Sequence, residues 1–311
     1  MEHNQKPPAG PETALLSVVI PIYNEASSLS NLLTELIPYC RTRNWKLILV
    51  NDGSNDNTSV ILKEYEESPG VNILRHKLNR GYGGALKTGL LAVDTLYAMT
   101  MDADGQHELS DIESLLKFAL EKDADMVVGK RSKEVYSTLY RNIGKWLIRR
   151  FAALLMPIHI SDLNSGFKLY RADLVQRYLS ICPDSMAFSD VITLIFIKKR
   201  HLVLELPITI KQRTAGKSTI NTFTAIQTVM EIINIAMLFN PLRIFLPLSI
   251  FCIGFGLAWG IPIMLHARGV SVGAMLAIVT GLLCFFFGLI AEQLSAMQMG
   301  LLDMDKGRDE K

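Results

Sequence analysis

At 311 residues the chain exceeds one ordinary domain, and a hydrophobic share of 49% with mean hydropathy +0.24 is high for a protein that lives wholly in water. Thirty-two Lys and Arg against 30 Asp and Glu leave a formal charge of +2, which excludes a broadly basic nucleic-acid binder. Cys40, Cys182, Cys252 and Cys284 show no C-x-x-C spacing and two of them lie in apolar stretches, so they read as reduced structural thiols.

Residues 1–13 are polar and Pro-rich, with no apolar run to serve as a signal peptide, and are expected to be disordered. Leu15 to Ile20 reads as a buried strand stopped by Pro21, and Ala26 to Ile37 as a helix with Leu29, Leu32, Leu33, Leu36 and Ile37 on its apolar face, closed by Pro38. Lys46 to Val50 is the next strand. It runs into Asn51-Asp52-Gly53-Ser54-Asn55-Asp56-Asn57-Thr58, a polar turn able to cap the following helix. Val71–Leu74, Tyr97–Met101, Met126–Gly129 and Leu202–Leu206 supply further strands, mostly with helices between them. Such alternation predicts an α/β fold with a mainly parallel sheet and ligands at its carboxyl edge.

Asp102 and Asp104 follow an apolar strand one residue apart, and Gln106 adds a neutral oxygen at the next step of the turn. An isolated pair of this kind is explained by helix capping or solvation. At a strand's carboxyl end the same hard oxygens suit Mg²⁺ or Mn²⁺ carrying a diphosphate; His107 is either a third ligand or, as is expected, a residue that only lines the turn.

Seven Lys or Arg against one Glu lie between Lys130 and Arg150, and six against one between Lys198 and Lys217. Arg141, Lys145, Arg149 and Arg150 share a helical arc beside Ile143, Trp146, Leu147, Leu154 and Leu155, either a helix in a membrane interface or one packed on its own domain. Ile244–Leu265 and Gly269–Ala291 are uncharged runs of 22 and 23 residues. As helices they span roughly 33 to 35 Å each, enough for a bilayer core of about 30 Å. The expected division is a catalytic domain over 14–220, a juxtamembrane amphipathic helix over 221–241, transmembrane helices over 242–266 and 269–298, and a cytoplasmic tail over 299–311. A short turn between the spans places the catalytic part and the tail on one side, so a multi-pass protein of the inner or cytoplasmic membrane facing the cytoplasm is expected. Such spans often pack between subunits, and Gly254, Gly256, Gly273 and Gly281 permit close approach.

Val18-Val19-Ile20-Pro21-Ile22-Tyr23-Asn24-Glu25, Val50-Asn51-Asp52-Gly53-Ser54, Asn79-Arg80-Gly81-Tyr82-Gly83-Gly84-Ala85 and Asp102-Ala103-Asp104 together resemble the inverting family 2 glycosyltransferases with a GT-A nucleotide-diphospho-sugar transferase fold. Asn164-Ser165-Gly166-Phe167-Lys168-Leu169-Tyr170-Arg171 and Arg213-Thr214-Ala215-Gly216-Lys217-Ser218 narrow the resemblance to the polyprenyl-phosphate branch, the dolichyl-phosphate mannose synthases and the bacterial two-span glucosyltransferases. It covers residues 15–295.

That resemblance implies a nucleoside held by Pro21, Tyr23, Glu25, Asn51 and Asp52, with Glu25 accepting from ribose hydroxyls and Asp52 from base nitrogens. Asn51 replaces the more usual Asp and leaves uracil and guanine both open. Asn79 and Arg80 belong to a glycine-dense turn that lets backbone approach a base or sugar. Asp102 stands near donor sugar and cation, and Asp104 and Gln106 on the cation itself. Arg131 and Arg141 are candidates for a lipid monophosphate, and Asn164, Ser165 and Gly166 for the acceptor and sugar pocket, with Asp162 nearby. Asp190 stands where the family often has Glu-Asp, Ser189 being the departure. Arg213, Lys217 and Ser218 belong to a loop that closes over the diphosphate, with Gly216 as its hinge.

The implied partners are a nucleotide-diphosphate sugar, polyprenyl phosphate, the membrane and further copies of the chain, a tetramer by resemblance. The implied reaction is attack of the lipid phosphate oxygen on the anomeric carbon with inversion. A second phosphate pKa of about 6 makes that oxygen anionic without a strong base. Glucose is favoured slightly over mannose. A processive polymer synthase is disfavoured, because no Q-x-x-R-W segment is present. A catalytically silent sugar-nucleotide sensor or tether, or transfer to a non-lipid acceptor, are the alternatives.

Overall fold

The computed structural model describes residues 14–131, 160–211, 237–266 and 269–304, in two compact units: an α/β unit from the first two segments and a helical hairpin from the last two. Arg141, Arg213, Lys217, Ser218, the basic arc 141–150 and most of the juxtamembrane helix lie outside the described residues.

In the α/β unit, β1 (Leu16–Ile22) is buried along its whole length. It is flanked in parallel by β2 (Lys46–Asn51) and β4 (Tyr97–Thr100), and β3 (Val71–Arg75) extends the sheet beyond β2. The strand runs through Pro21 instead of stopping there. Pairing with β4 ends at Val19, whose carbonyl accepts from Met101 N, while Ile22 O turns to Asp52 N on the other side. Pro21 therefore directs its missing N–H past the end of β4, where no ladder bond is required. Helix α1 (Ala26–Thr42) likewise continues through Pro38, because Pro38 faces solvent while Leu29, Leu32, Leu33, Leu36 and Cys40 stay in the core on the opposite face.

Helices α2 (Thr58–Lys63), α3 (Tyr82–Leu91) and α4 (Leu109–Lys122) connect the parallel strands, and β5 (Met126–Arg131) pairs in parallel with β7 (Val203–Ile208). Between them the chain adds an element the sequence pattern does not announce. β6 (Lys168–Arg171) inserts antiparallel between β4 and β5, so the seven-stranded sheet has the order β3-β2-β1-β4-β6-β5-β7. Its Lys-Leu-Tyr-Arg sequence has no strand periodicity to read, since the lysine is as buried as the leucine. Helices α5 (Ala172–Tyr178) and α6 (Phe188–Lys198) complete the unit.

In the hairpin, α7 (Leu242–Leu265) and α8 (Val272–Met304) contain segments long and apolar enough to cross a membrane, Leu242–Leu265 and Val272–Met297, with mean hydropathies of 2.1 and 2.5. The second helix starts three residues after Gly269 and runs on past residue 298. A Cβ at Gly281 would lie 2.5 Å from Ile253 Cγ1 and 3.0 Å from Ser249 O, so this glycine serves closeness inside the hairpin. Gly254, by contrast, faces no atom within 4 Å.

Candidate active site

Strand order reverses direction between β1 and β4, the position where open α/β sheets gather ligands beyond the strands' carboxyl ends. Pro21 lies near the end of β1 there, Tyr23 and Glu25 follow it, and Asp102 to His107 follow β4. The two loops are tied together: Ser28 Oγ lies 2.8 Å from Glu25 Oε2 and 3.2 Å from Ala103 O. Asn24 N and Ala26 N donate to Ser54 Oγ and Asp56 Oδ2 of the loop after β2. Tyr23 stays 44% exposed, its ring free to face a flat ligand.

Asp52 is 2% exposed, and its oxygens are already engaged. Oδ1 accepts from Arg80 N at 2.9 Å and lies 2.6 Å from His76 Nδ1, and Oδ2 accepts from Gly81 N at 2.9 Å. This carboxylate therefore shapes the Asn79–Gly81 turn. Asn51 is tied down similarly, donating to Ser59 Oγ at 2.9 Å and accepting from Ser54 N at 3.0 Å. Gly81 and Gly83 approach protein backbone: a Cβ at Gly83 would collide with Pro183 O and lie 2.9 Å from Ser185 O, and Lys87 pairs with Asp184 at 2.7 Å. His76, Lys87 and Asp184 carry no motif signal, which is why sequence reasoning passes over them.

The acid turn divides its work between two different carboxylates. Asp102 accepts from Tyr82 Oη at 2.9 Å, and a Cβ at Gly166 would lie 2.6 and 2.7 Å from its two oxygens and 2.8 Å from the Tyr82 hydroxyl. Only glycine at 166 leaves room for that carboxylate, and Thr100 holds the segment by donating to Gly166 O at 2.8 Å. Burial raises the Asp102 carboxyl above its ordinary range, with the Tyr82 hydrogen bond the largest opposing influence. Tyr82, quoted in the sequence motif but given no role there, is thus part of the site. Tyr82→Phe is expected to lower turnover about tenfold at neutral pH and to move the acid limb of the pH–activity profile upward, since loss of the donor lets the carboxyl rise further. Initial rates between pH 5 and 9 check both.

Asp104 sits beside Gly105 (φ 70°) on the outer part of the turn, its Oδ1 accepting from Gln106 N at 3.1 Å. Gln106 O accepts from Lys211 N, and His107 forms an isolated bridge with Ile210. His107 is buried and stacked on Phe167 at 4.4 Å, with Nδ1 unpartnered among the described residues. Burial lowers its pKa, with Asp102 and Asp104 pulling the other way. A cavity of about 370 Å³ beside α1 is lined by Glu25, Asn31, Glu35, Asp104, His107 and Lys211.

No group of three or more His, Cys, Asp or Glu side chains among the described residues is arranged to hold a metal ion. Two carboxylates and an amide do fit Mg²⁺ or Mn²⁺ when phosphate oxygens and water supply most of the ligands, as these hard cations accept. The donor set suits a cation that arrives with a nucleotide.

At the end of β5, Arg131 forks onto Asp162, with Nε and Nη2 at 2.8 and 2.7 Å from its two oxygens. Burial pushes the Asp162 carboxyl up, and the Arg131 bonds outweigh it, leaving the pKa lowered. Nη1 takes no part in that fork. Asn164 and Ser165 continue the segment toward Gly166. Asp190 lies in the first turn of α6. Lys168, at the start of β6, is fully buried, and burial pulls its pKa down to about 7, with Asp190 and Asp162 acting the other way. The structure therefore brings Glu25, Asp52, Asp102, Asp104, Arg131 and Gly166 into one α/β unit around the sheet's carboxyl edge.

A family description, Glycosyl transferase family 2, matches residues 17–179, and a second, the GtrB C-terminal hairpin, matches residues 240–297. The dolichyl-phosphate beta-glucosyltransferase of Dictyostelium discoideum is 33% identical over 181 residues, 52% of this chain and 55% of that protein, so the match takes in about half of that relative's length. An undecaprenyl-phosphate 4-deoxy-4-formamido-L-arabinose transferase of Photorhabdus laumondii is 31% identical over 233 residues, 74% of this chain and 70% of the relative. The dolichyl-phosphate beta-glucosyltransferase of Saccharomyces cerevisiae is 30% identical over 63% of this chain and 67% of its own. Among solved structures, glucosyl-3-phosphoglycerate synthase of Mycobacterium tuberculosis, in complex with Mn²⁺, UDP-glucose and phosphoglyceric acid, shares the fold with a TM-score of 0.56 at 16% identity, over 72% of this chain and 80% of that one.

Proposed function

The chain belongs to glycosyl transferase family 2, and from that premise we propose that it transfers a hexose from a nucleotide diphosphate sugar to polyprenyl phosphate, with glucose as the sugar and inversion at the anomeric carbon. The relatives named above act on dolichyl and undecaprenyl phosphates, and two of them are glucosyltransferases. The observation that carries the reading is the acidic turn at the strand-order reversal, where Tyr82 donates to Asp102, glycine at 166 leaves room for that carboxylate, and Asp104 lines the cavity beside α1.

In this reading Pro21, Tyr23, Glu25 and Asn51 line the nucleoside. Asp52 acts one step back, presenting the Asn79–Arg80 turn. Asp102, Asp104 and Gln106 would hold Mg²⁺ or Mn²⁺, which when bound neutralises charge on the departing nucleoside diphosphate. Arg131 offers the lipid phosphate a planar donor set, steadied by Asp162, while Asn164, Ser165 and Asp190 border the acceptor. Arg141, Arg213, Lys217 and Ser218 would complete the anion-binding set. An acceptor oxygen that is anionic at neutral pH needs alignment more than deprotonation, so orientation within the site supplies much of the rate. The hairpin would anchor the chain in the membrane that carries the lipid acceptor, with catalysis on the cytoplasmic side and copies of the chain associating as a homo-oligomer.

Purified protein, polyprenyl phosphate, Mg²⁺ or Mn²⁺ and a panel of radiolabelled nucleotide sugars test the proposal. Lipid-extractable label from UDP-glucose is the expected result. No label from any donor would overturn it.

A further inference from the structure

Lys168 is the one lysine among the described residues whose side chain is wholly buried, and nothing in the transfer chemistry above uses it. Its Nζ donates to Leu163 O at 2.6 Å, Ser189 O at 2.5 Å and Thr193 Oγ1 at 2.8 Å, so three ammonium protons meet three acceptors. These acceptors belong to separate parts of the chain. Leu163 sits in the segment carrying Asp162, Asn164, Ser165 and Gly166, whereas Ser189 and Thr193 flank Asp190 at the start of α6. Charged groups surround the amine from each neighbouring element: Asp190 on α6, Asp162 before β6, Arg131 at the end of β5 and Asp102 after β4. Burying a cation here is costly, and an apolar side chain of similar length would fill the same space without that cost. What the apolar chain would lose is a fixed distance between the two segments.

We propose that Lys168 is a positioning residue of the transfer site, its ammonium pinning the 162–166 segment to the first turn of α6 and so setting the wall against which Asp102 stands. Gly166, where a Cβ would lie 2.6 Å from the Asp102 carboxylate, transmits that position, and the Arg131–Asp162 fork is anchored by the same segment. The activity arm of the test rests on the function proposed above; the structural arm does not.

Full-length protein carrying Lys168→Met, Lys168→Arg or Thr193→Val is compared with the parent by amide hydrogen exchange and by initial rates. In Lys168→Met, peptides spanning 160–167 and 186–194 should exchange about tenfold faster, with β1 and β2 unchanged. Its kcat should fall about 100-fold while KM for the nucleotide sugar stays within about twofold, the signature of lost alignment and not of lost donor binding. Lys168→Arg retains donors and should recover part of the rate. Thr193→Val removes one acceptor at nearly constant volume, should cost about threefold in kcat, and decides the matter if Lys168→Met does not fold. Unchanged exchange in both peptides, or parallel loss of kcat, KM and global protection with Thr193→Val silent, would overturn the assignment. If the parent transfers no sugar, the proposed function fails on its own and the exchange data still judge Lys168.

Discussion

Asp104→Asn is expected to reduce transfer by about 10²- to 10³-fold at fixed Mn²⁺ while changing stability by no more than about 0.5 kcal/mol. The expectation follows from where the charge sits. Asp104 is on the outer part of the turn, and its hydrogen bond from Gln106 N requires only an acceptor oxygen, which asparagine retains. The substitution removes an anion and little else. Initial rates across a Mn²⁺ titration, with a thermal melt of the same sample, measure the two effects separately. A variant with full turnover at saturating metal would remove Asp104 from the cation site. A protein that only senses nucleotide sugars would tolerate the change in its downstream effect, whereas a transferase would not.

Asp52→Ala is expected to act through stability first. It strands Arg80 N, Gly81 N and His76 Nδ1 together, and although solvent reaches part of this turn, a loss of about 2–3 kcal/mol is expected. For a unit of this size that lowers the unfolding midpoint by about 5–10 °C. Nucleotide affinity should fall with it if, as proposed above, that turn frames the base, because the turn loses its anchor. Asp52→Asn, which keeps one acceptor oxygen, should lie between parent and alanine variant. If Asp52→Ala melts like the parent but loses nucleotide binding, Asp52 contacts the ligand directly and the positioning role is wrong.

Much of this site was legible before any fold was known. The apolar run ending at Met101 and the acids at 102 and 104 predict an acidic turn at a strand end, and the structure sets that turn at the strand-order reversal. Pro21 and Pro38 misled the element boundaries for one shared reason. A proline ends an element only where its missing N–H is needed, and here one points beyond the end of β4 and the other lies on a solvent-facing helix surface. The glycine-dense turn after Asn79 looked like room for a ligand, yet Gly83 makes room for the carbonyls of Pro183 and Ser185, a partner segment about a hundred positions away that no local pattern reveals.

By itself the sequence determined the alternation of strands and helices, the acidic turn and the two apolar helices, because each is a short-range pattern of burial or charge along the chain. Tertiary structure alone decided that Asp52 serves the turn 28 positions later, that Tyr82 reaches Asp102 across 20, that β6 enters the sheet antiparallel, and that Lys168 lies sealed between three acceptors. Those outcomes depend on which donors and acceptors the packed core leaves facing one another, and a buried polar group must take the partner that folding delivers.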